Sequence, residues 1–150
     1  MPLQKQIEAD FLAAFKAGEK EIVETLRMLK SALINRKIEK SLAKEADLPD
    51  EEVVAMAQTE IKKRKDSIEA YSAGGRPDLA EKEAAEMKII EKYLPAQLSE
   101  EEVSAAIQAI IAETGATAKD FGKVMGLAMA KMKGQTDGQV VSALVKKLLN

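Results

Sequence analysis

Read from the N-terminus, apolar side chains recur at helical spacing and are cut into segments by glycine and proline. Leu3 to Ala17 carries Ile7, Phe11 and Phe15 every four residues, with Leu12 beside them and Gly18 behind; this predicts an amphipathic helix with one buried face. A second helix is predicted from Glu19 to about Ala43, on the stripe Ile22, Leu26, Leu29 and Leu33. Its first turn is acidic and its later turns are basic, as the helix dipole favours. Past Ile38 the apolar pattern fades, so the end of this helix is expected to project from the core. Asp47 to Glu52 supplies the proline and acids of a helix start. The third helix then runs to about Ser72, on Val54, Ala57, Ile61, Ile68 and Tyr71. Gly74-Gly75-Arg76-Pro77 is a break. Pro77 opens a fourth helix with Leu79, Met87, Ile90 and Leu94 as contacts, and Pro95 ends it by disfavouring helical backbone at Leu94.

Pro95 to Leu98 divides the chain into residues 1–94 and 95–150. Ser99 with Glu102 forms a capping box and Leu98 a hydrophobic staple, opening a fifth helix on Val103, Ile107, Ile110 and Ile111 that Gly115 closes. Thr117 with Asp120 repeats the signature for a sixth helix, which Gly134 stops. Thr136-Asp137-Gly138 turns into a seventh, with Val140, Val141, Leu144, Leu148 and Leu149 inward. No segment alternates with period two for long enough to be a strand. The predicted fold is all-α: an N-terminal bundle of about four helices and a C-terminal domain of three.

The sixth helix has an unusual surface. On a wheel of 3.6 residues per turn, Phe121, Val124, Met125, Ala128 and Met132 make a core face. Gly122, Gly126 and Ala130 fall opposite it as a nearly bare stripe. Lys119, Lys123 and Lys133 lie along the stripe and Lys131 at its edge. A helix-interior glycine costs roughly 1 kcal/mol relative to alanine, so two on the outer face call for a reason. Such a stripe admits either another helix or a phosphate-ribose backbone to close range. Gly134 and Gly138 read as a cap and a turn, although the helix start at Gly138 also exposes amides that suit an anion.

Composition narrows the chemistry. The chain has no cysteine and no histidine, which removes disulfides, thiolate metal sites and most nucleophile–base pairs. No catalytic residue, metal ligand or cofactor site is assigned. No apolar run approaches the roughly 18 residues needed to span a membrane, and the N-terminus lacks a signal-peptide core; a cytoplasmic protein with no membrane partner is expected. The formal net charge of −2 argues against a simple polycation. Residues 118–150, however, carry six lysines against Asp120 and Asp137. Lys62-Lys63-Arg64-Lys65 points in four directions on a helix, about 100° apart, so it makes no single patch, and Arg64 and Lys65 fall at the edges of the apolar stripe. Lys30, Lys37 and Lys44 are spaced by seven along the second helix and read as a solvated face.

Gly122-Lys123-Val124-Met125-Gly126, Lys131-Met132-Lys133-Gly134, Asp137-Gly138 and Val140 to Leu149, preceded by Tyr93-Leu94-Pro95-Ala96-Gln97-Leu98-Ser99-Glu100-Glu101-Glu102, resemble the GatB/YqeY family. Arg27-Met28-Leu29-Lys30-Ser31-Ala32-Leu33 and Lys63-Arg64-Lys65-Asp66-Ser67-Ile68 are similar to stretches of its free-standing YqeY-like members. The resemblance covers nearly the whole chain. It implies two helical bundles and kinship with the C-terminal tail of the B subunit of the tRNA-dependent amidotransferase, which converts mischarged Glu-tRNA or Asp-tRNA to the amide. That tail is not catalytic and holds tRNA from the elbow side; nothing here corresponds to the catalytic cradle. The family-level label, carbon-nitrogen ligase with glutamine as amido-N-donor, therefore describes chemistry this chain would need partners to perform.

Three functions stay open at this point. The first is a non-catalytic RNA-binding accessory module gripping structured tRNA through Lys119, Lys123, Lys131 and Lys133, with Gly122 and Gly126 permitting close approach; few aromatics are present for base stacking. The second is a protein-interaction adaptor whose bare stripe receives a helix of an amidotransferase subunit or an aminoacyl-tRNA synthetase. The third is a component of glutamine-dependent amidotransferase activity.

Overall fold

The computed structural model describes residues 1–150 as seven α-helices and one 3₁₀ turn, with no strand. The helices are α1 (Leu3–Ala17), α2 (Lys20–Glu39), α3 (Asp50–Ala73), α4 (Pro77–Glu91), α5 (Glu100–Thr114), α6 (Phe121–Lys131) and α7 (Gly138–Leu149), with the 3₁₀ turn at Ala118–Asp120. They divide between two compact units, Met1–Leu94 and Pro95–Asn150.

In the first unit α1 lies on α2, α3 runs along α4, and α2 meets both α3 and α4. Ile7, Leu26, Leu29, Leu33, Val53, Met56, Ala57, Ile61, Ile90 and Tyr93 form its core. Each fully buried aliphatic side chain contributes roughly 1.5–3 kcal/mol. Gly18 takes a left-handed conformation (φ 73°) and closes α1 through Glu19 N–H to the Ala14 carbonyl at 3.0 Å.

Several expectations shift here. Helix α2 stops at Glu39, short of Ala43, and residues 38–45 are all exposed, outside the core as the fading pattern predicts. Arg36 and Lys40 both reach Glu52 of α3, at 2.7 and 3.3 Å, and Lys37 Nζ donates to the Lys44 carbonyl at 2.7 Å. The loop that follows contributes to the core through Leu48, which is fully buried. Its N–H donates to the buried Gln4 carboxamide at 2.8 Å, and Asp50 accepts from Leu3 N–H at 2.9 Å. The inward face of α3 is Val53, Met56, Ala57, Ile61 and Arg64, with Val54, Ile68 and Tyr71 only half-buried; contact with α2 and α4 on two sides turns the face by one position. Phe15 and Leu12 are exposed. The ring of Phe11, which stacks on Phe15 at 6.3 Å, is instead covered by Lys30 (4.3 Å) and Arg27 (5.9 Å).

The basic run 62–65 splits as its helical geometry requires. Lys62, Lys63 and Lys65 are exposed, while Arg64 is 4% exposed and does not merely skirt the stripe. Its guanidinium bonds Glu60 at 3.1 Å and Glu86 of α4 at 3.3 Å, and its other terminal nitrogen meets Met28 Sδ at 3.0 Å.

In the second unit α5, α6 and α7 each pack on the other two. The core is Val103, Ile107, Ile110, Val124, Ala128, Met132, Val141, Leu144 and Val145. Ser99 Oγ accepts from Glu102 N–H while Glu102 accepts from Ser99 N–H, so both halves of the capping box are present. Gly115 supplies the left-handed stop of α5 at φ 63°. Val140 faces outward and Val145 inward, because the face of α7 centres on Val141, Leu144, Val145 and Leu148.

Candidate nucleic-acid interface

The site residues all lie in the second unit, at or around α6. Thr117 N–H donates to Asp120 Oδ2 at 2.9 Å and Asp120 N–H to the Thr117 carbonyl at 2.8 Å, a tight turn that carries Lys119 outward at the head of the helix. The same bond occupies Asp120, the one carboxylate in the stretch from Lys119 to Thr136. Gly122, Lys123 and Gly126 follow in the first turns of α6, all exposed, while Val124 and Ala128 are buried on the opposite side.

A Cβ built on Gly122 or on Gly126 meets no atom within 4 Å. The stripe is thus open, and no helix of the second unit packs on it. Packing inside the second unit therefore does not explain these two glycines. Lys119, Lys123 and Lys131 are exposed and take part in none of the chain's salt bridges.

Lys131 is the last residue of α6, and Lys133 falls beyond it, in the turn that leads to α7. The sixth helix ends three residues short of Gly134. Gly134, at φ 77°, stands within that turn, and Gln135 N–H donates to the Met132 carbonyl at 2.9 Å. Lys133 is exposed, but helical periodicity no longer places it on the stripe. The site is a row of Lys119, Gly122, Lys123 and Gly126 on one face, with Lys131 and Lys133 at its far end.

Two features of this surface were not legible in the pattern. The junction segment folds onto the α6–α7 turn: Leu98 N–H donates to the Gln135 carbonyl at 2.9 Å and Gln97 Nε2 to the Gly134 carbonyl at 2.8 Å. This sets the start of α5, whose first turn is acidic, beside the α6–α7 turn that carries Lys133. At the start of α6, Lys146 of α7 lies over the Phe121 ring at 5.9 Å. Only tertiary packing brings either pair of segments together.

Asp137 caps α7 by accepting from Gln139 N–H at 2.8 Å, so its carboxylate already occupies the position an anion would take there. A Cβ on Gly138 would lie 3.6 Å from Met129 Cε, an ordinary contact; the glycine serves the turn. The groove along α7, lined by Glu100, Gln139, Val140, Ala143, Leu144 and Lys147, includes none of the six candidate residues.

Comparison with known proteins gives a family and several relatives. The family model described as Yqey-like protein matches residues 4–149. A protein of Pyrenophora tritici-repentis named "Altered inheritance of mitochondria protein 41, mitochondrial" is 25% identical over 148 residues, 96% of this chain and 79% of the relative. The protein of the same name from Kluyveromyces lactis is 33% identical over 109 residues, 71% of this chain and 57% of its own length. An uncharacterised protein of Schizosaccharomyces pombe is 31% identical over 100 residues, 65% of this chain and 76% of the relative.

Proposed function

The chain belongs to the Yqey-like protein family, and from that membership we propose that its C-terminal unit is a non-catalytic grip for structured RNA of the tRNA kind. One observation carries the reading. Two glycines with open space above them, Gly122 and Gly126, share a helix face with Lys119 and Lys123, which no carboxylate of the chain neutralises. Ammonium groups contact phosphates, and missing side chains let the ribose-phosphate backbone settle against the helix. Such contacts position a nucleic acid without reading its bases. The scarcity of aromatic residues, 3% of the chain, favours recognition of a folded RNA's shape over stacking on single strands.

The experiment is anisotropy titration of labelled tRNA with the full chain and two variants. Gly126→Leu fills the stripe and is expected to weaken binding at least about tenfold with helix content unchanged, a loss of about 1.4 kcal/mol. Gly126→Ala adds one methyl and is expected to leave most of the affinity. Equal affinity for wild type and Gly126→Leu contradicts close approach.

A protein-adaptor reading has its own observation. Leu127 and Met129 of α6 are exposed and flank the stripe at helical spacing, an apolar fringe that suits a helix of an amidotransferase subunit or a synthetase. Association through that fringe should survive 0.2 M salt, whereas a phosphate grip should not. Participation in glutamine-dependent amidation would need such partners to supply the catalytic groups.

A further inference from the structure

We infer that the α1–α2 face of the first unit is a peripheral contact surface for anionic phospholipid. The inference is independent of the RNA reading, which concerns the other unit. Ile34 and Ile38 sit one turn apart on α2, 58% and 69% exposed, and Phe15 on α1 is 61% exposed. Soluble surfaces carry single apolar residues routinely, but these three are linked. Phe15 stacks on Phe11, the Phe11 ring lies under Arg27 and Lys30, and Lys30, Ile34 and Ile38 follow at four-residue spacing along one row of α2.

The charge points to a lipid surface over a protein helix. Two cations stand on the same face, Arg27 and Lys30, both over the Phe11 ring. Exposed apolar side chains together with an ammonium and a guanidinium group on the α1–α2 face are the combination that inserts among headgroups and attracts anionic lipid. The carboxylates nearby are already engaged or balanced. Glu8 pairs with Lys5 at 3.7 Å, Glu39 with Arg36 at 3.6 Å, and Glu24 has Lys20 and Arg27 at helical spacing. No helix is long and apolar enough to cross a membrane, so the attachment is to the surface. It departs from the expectation of no membrane partner, which rested on the lack of a spanning segment.

The test is co-sedimentation of the full chain with vesicles of phosphatidylcholine alone and with about one-third phosphatidylglycerol, at about 50 and 200 mM salt. Binding is expected to the anionic vesicles, weakening with salt. The exposed-site variant Ile34→Ser/Ile38→Ser is expected to lose at least about tenfold in partitioning with its tRNA affinity unchanged. Three results would each overturn the inference: no sedimentation with anionic vesicles at low salt; sedimentation that the double variant leaves unchanged; or a concentration-dependent dimer that the double variant abolishes, which would assign this face to a second copy of the chain.

Discussion

Arg64 shows how far a single side chain can depart from its apparent role. In sequence it is one of four consecutive basic residues; in the fold it is the buried centre of a network joining α3 to α4 through Glu60 and Glu86. Removing it leaves two carboxylates facing each other at low exposure, so Arg64→Met is expected to destabilise the first unit by about 3 kcal/mol. Adding Glu86→Gln should recover part of that loss, and Lys63→Ala, at an exposed position, should change little. Urea unfolding of the three variants checks this. Tyr93 is a second case. Burial, and then the hydrogen bond from its hydroxyl to Asp10 Oδ2 at 2.6 Å, hold its phenol well above the usual 10.0. The unfolded chain releases that proton near pH 10 and the folded chain keeps it, so this group's stabilising contribution is complete below pH 10 and is lost as pH rises above it. Tyr93→Phe is expected to cost about 1 kcal/mol at neutral pH and to flatten the decline in stability above pH 10; unfolding midpoints at pH 8 and about 10.5 would show both effects.

Helix α6 carries a local cost in stability at its glycines. Gly126 stands in its interior with open space above, so Gly126→Ala should raise the stability of the second unit by roughly 0.5–1 kcal/mol. A fall in thermal midpoint for that variant would mean the glycine serves packing that the open surface does not reveal. The helices themselves were largely legible in the chain. Leu3–Ala17 matched to the residue, because a proline and a glycine bracket it, and the Ser99 capping box fixed the start of α5. The failures have a common cause, since Leu48, Val145 and the end of α2 at Glu39 depend on what packs across from them. Periodicity gives the width of a face but not which neighbours share it, so Val54 was expected where Val53 is buried. For the candidate surface, the pattern identified the stripe and its lysines. It could not show that the stripe is open within the second unit, that Lys133 leaves the helix, or that the start of α5 lies beside the α6–α7 turn.

The whole molecule consists of two units with different surfaces: exposed Phe15, Ile34 and Ile38 in Met1–Leu94, and an open glycine row beside lysines in Pro95–Asn150. The net charge of −2 conceals both. The central claim is the phosphate grip, and salt tests it most directly. With about four phosphate contacts, affinity for refolded tRNA should fall by about a hundredfold between about 50 and 200 mM salt. The measurement is a titration of labelled total tRNA with the full chain at those two salt concentrations, with an RNA hairpin of equal length as competitor. A phosphate grip gives tRNA binding in the micromolar range at low salt that the hairpin displaces poorly and that is largely lost at high salt. Absence of binding at low salt, or binding indifferent to salt, would contradict it.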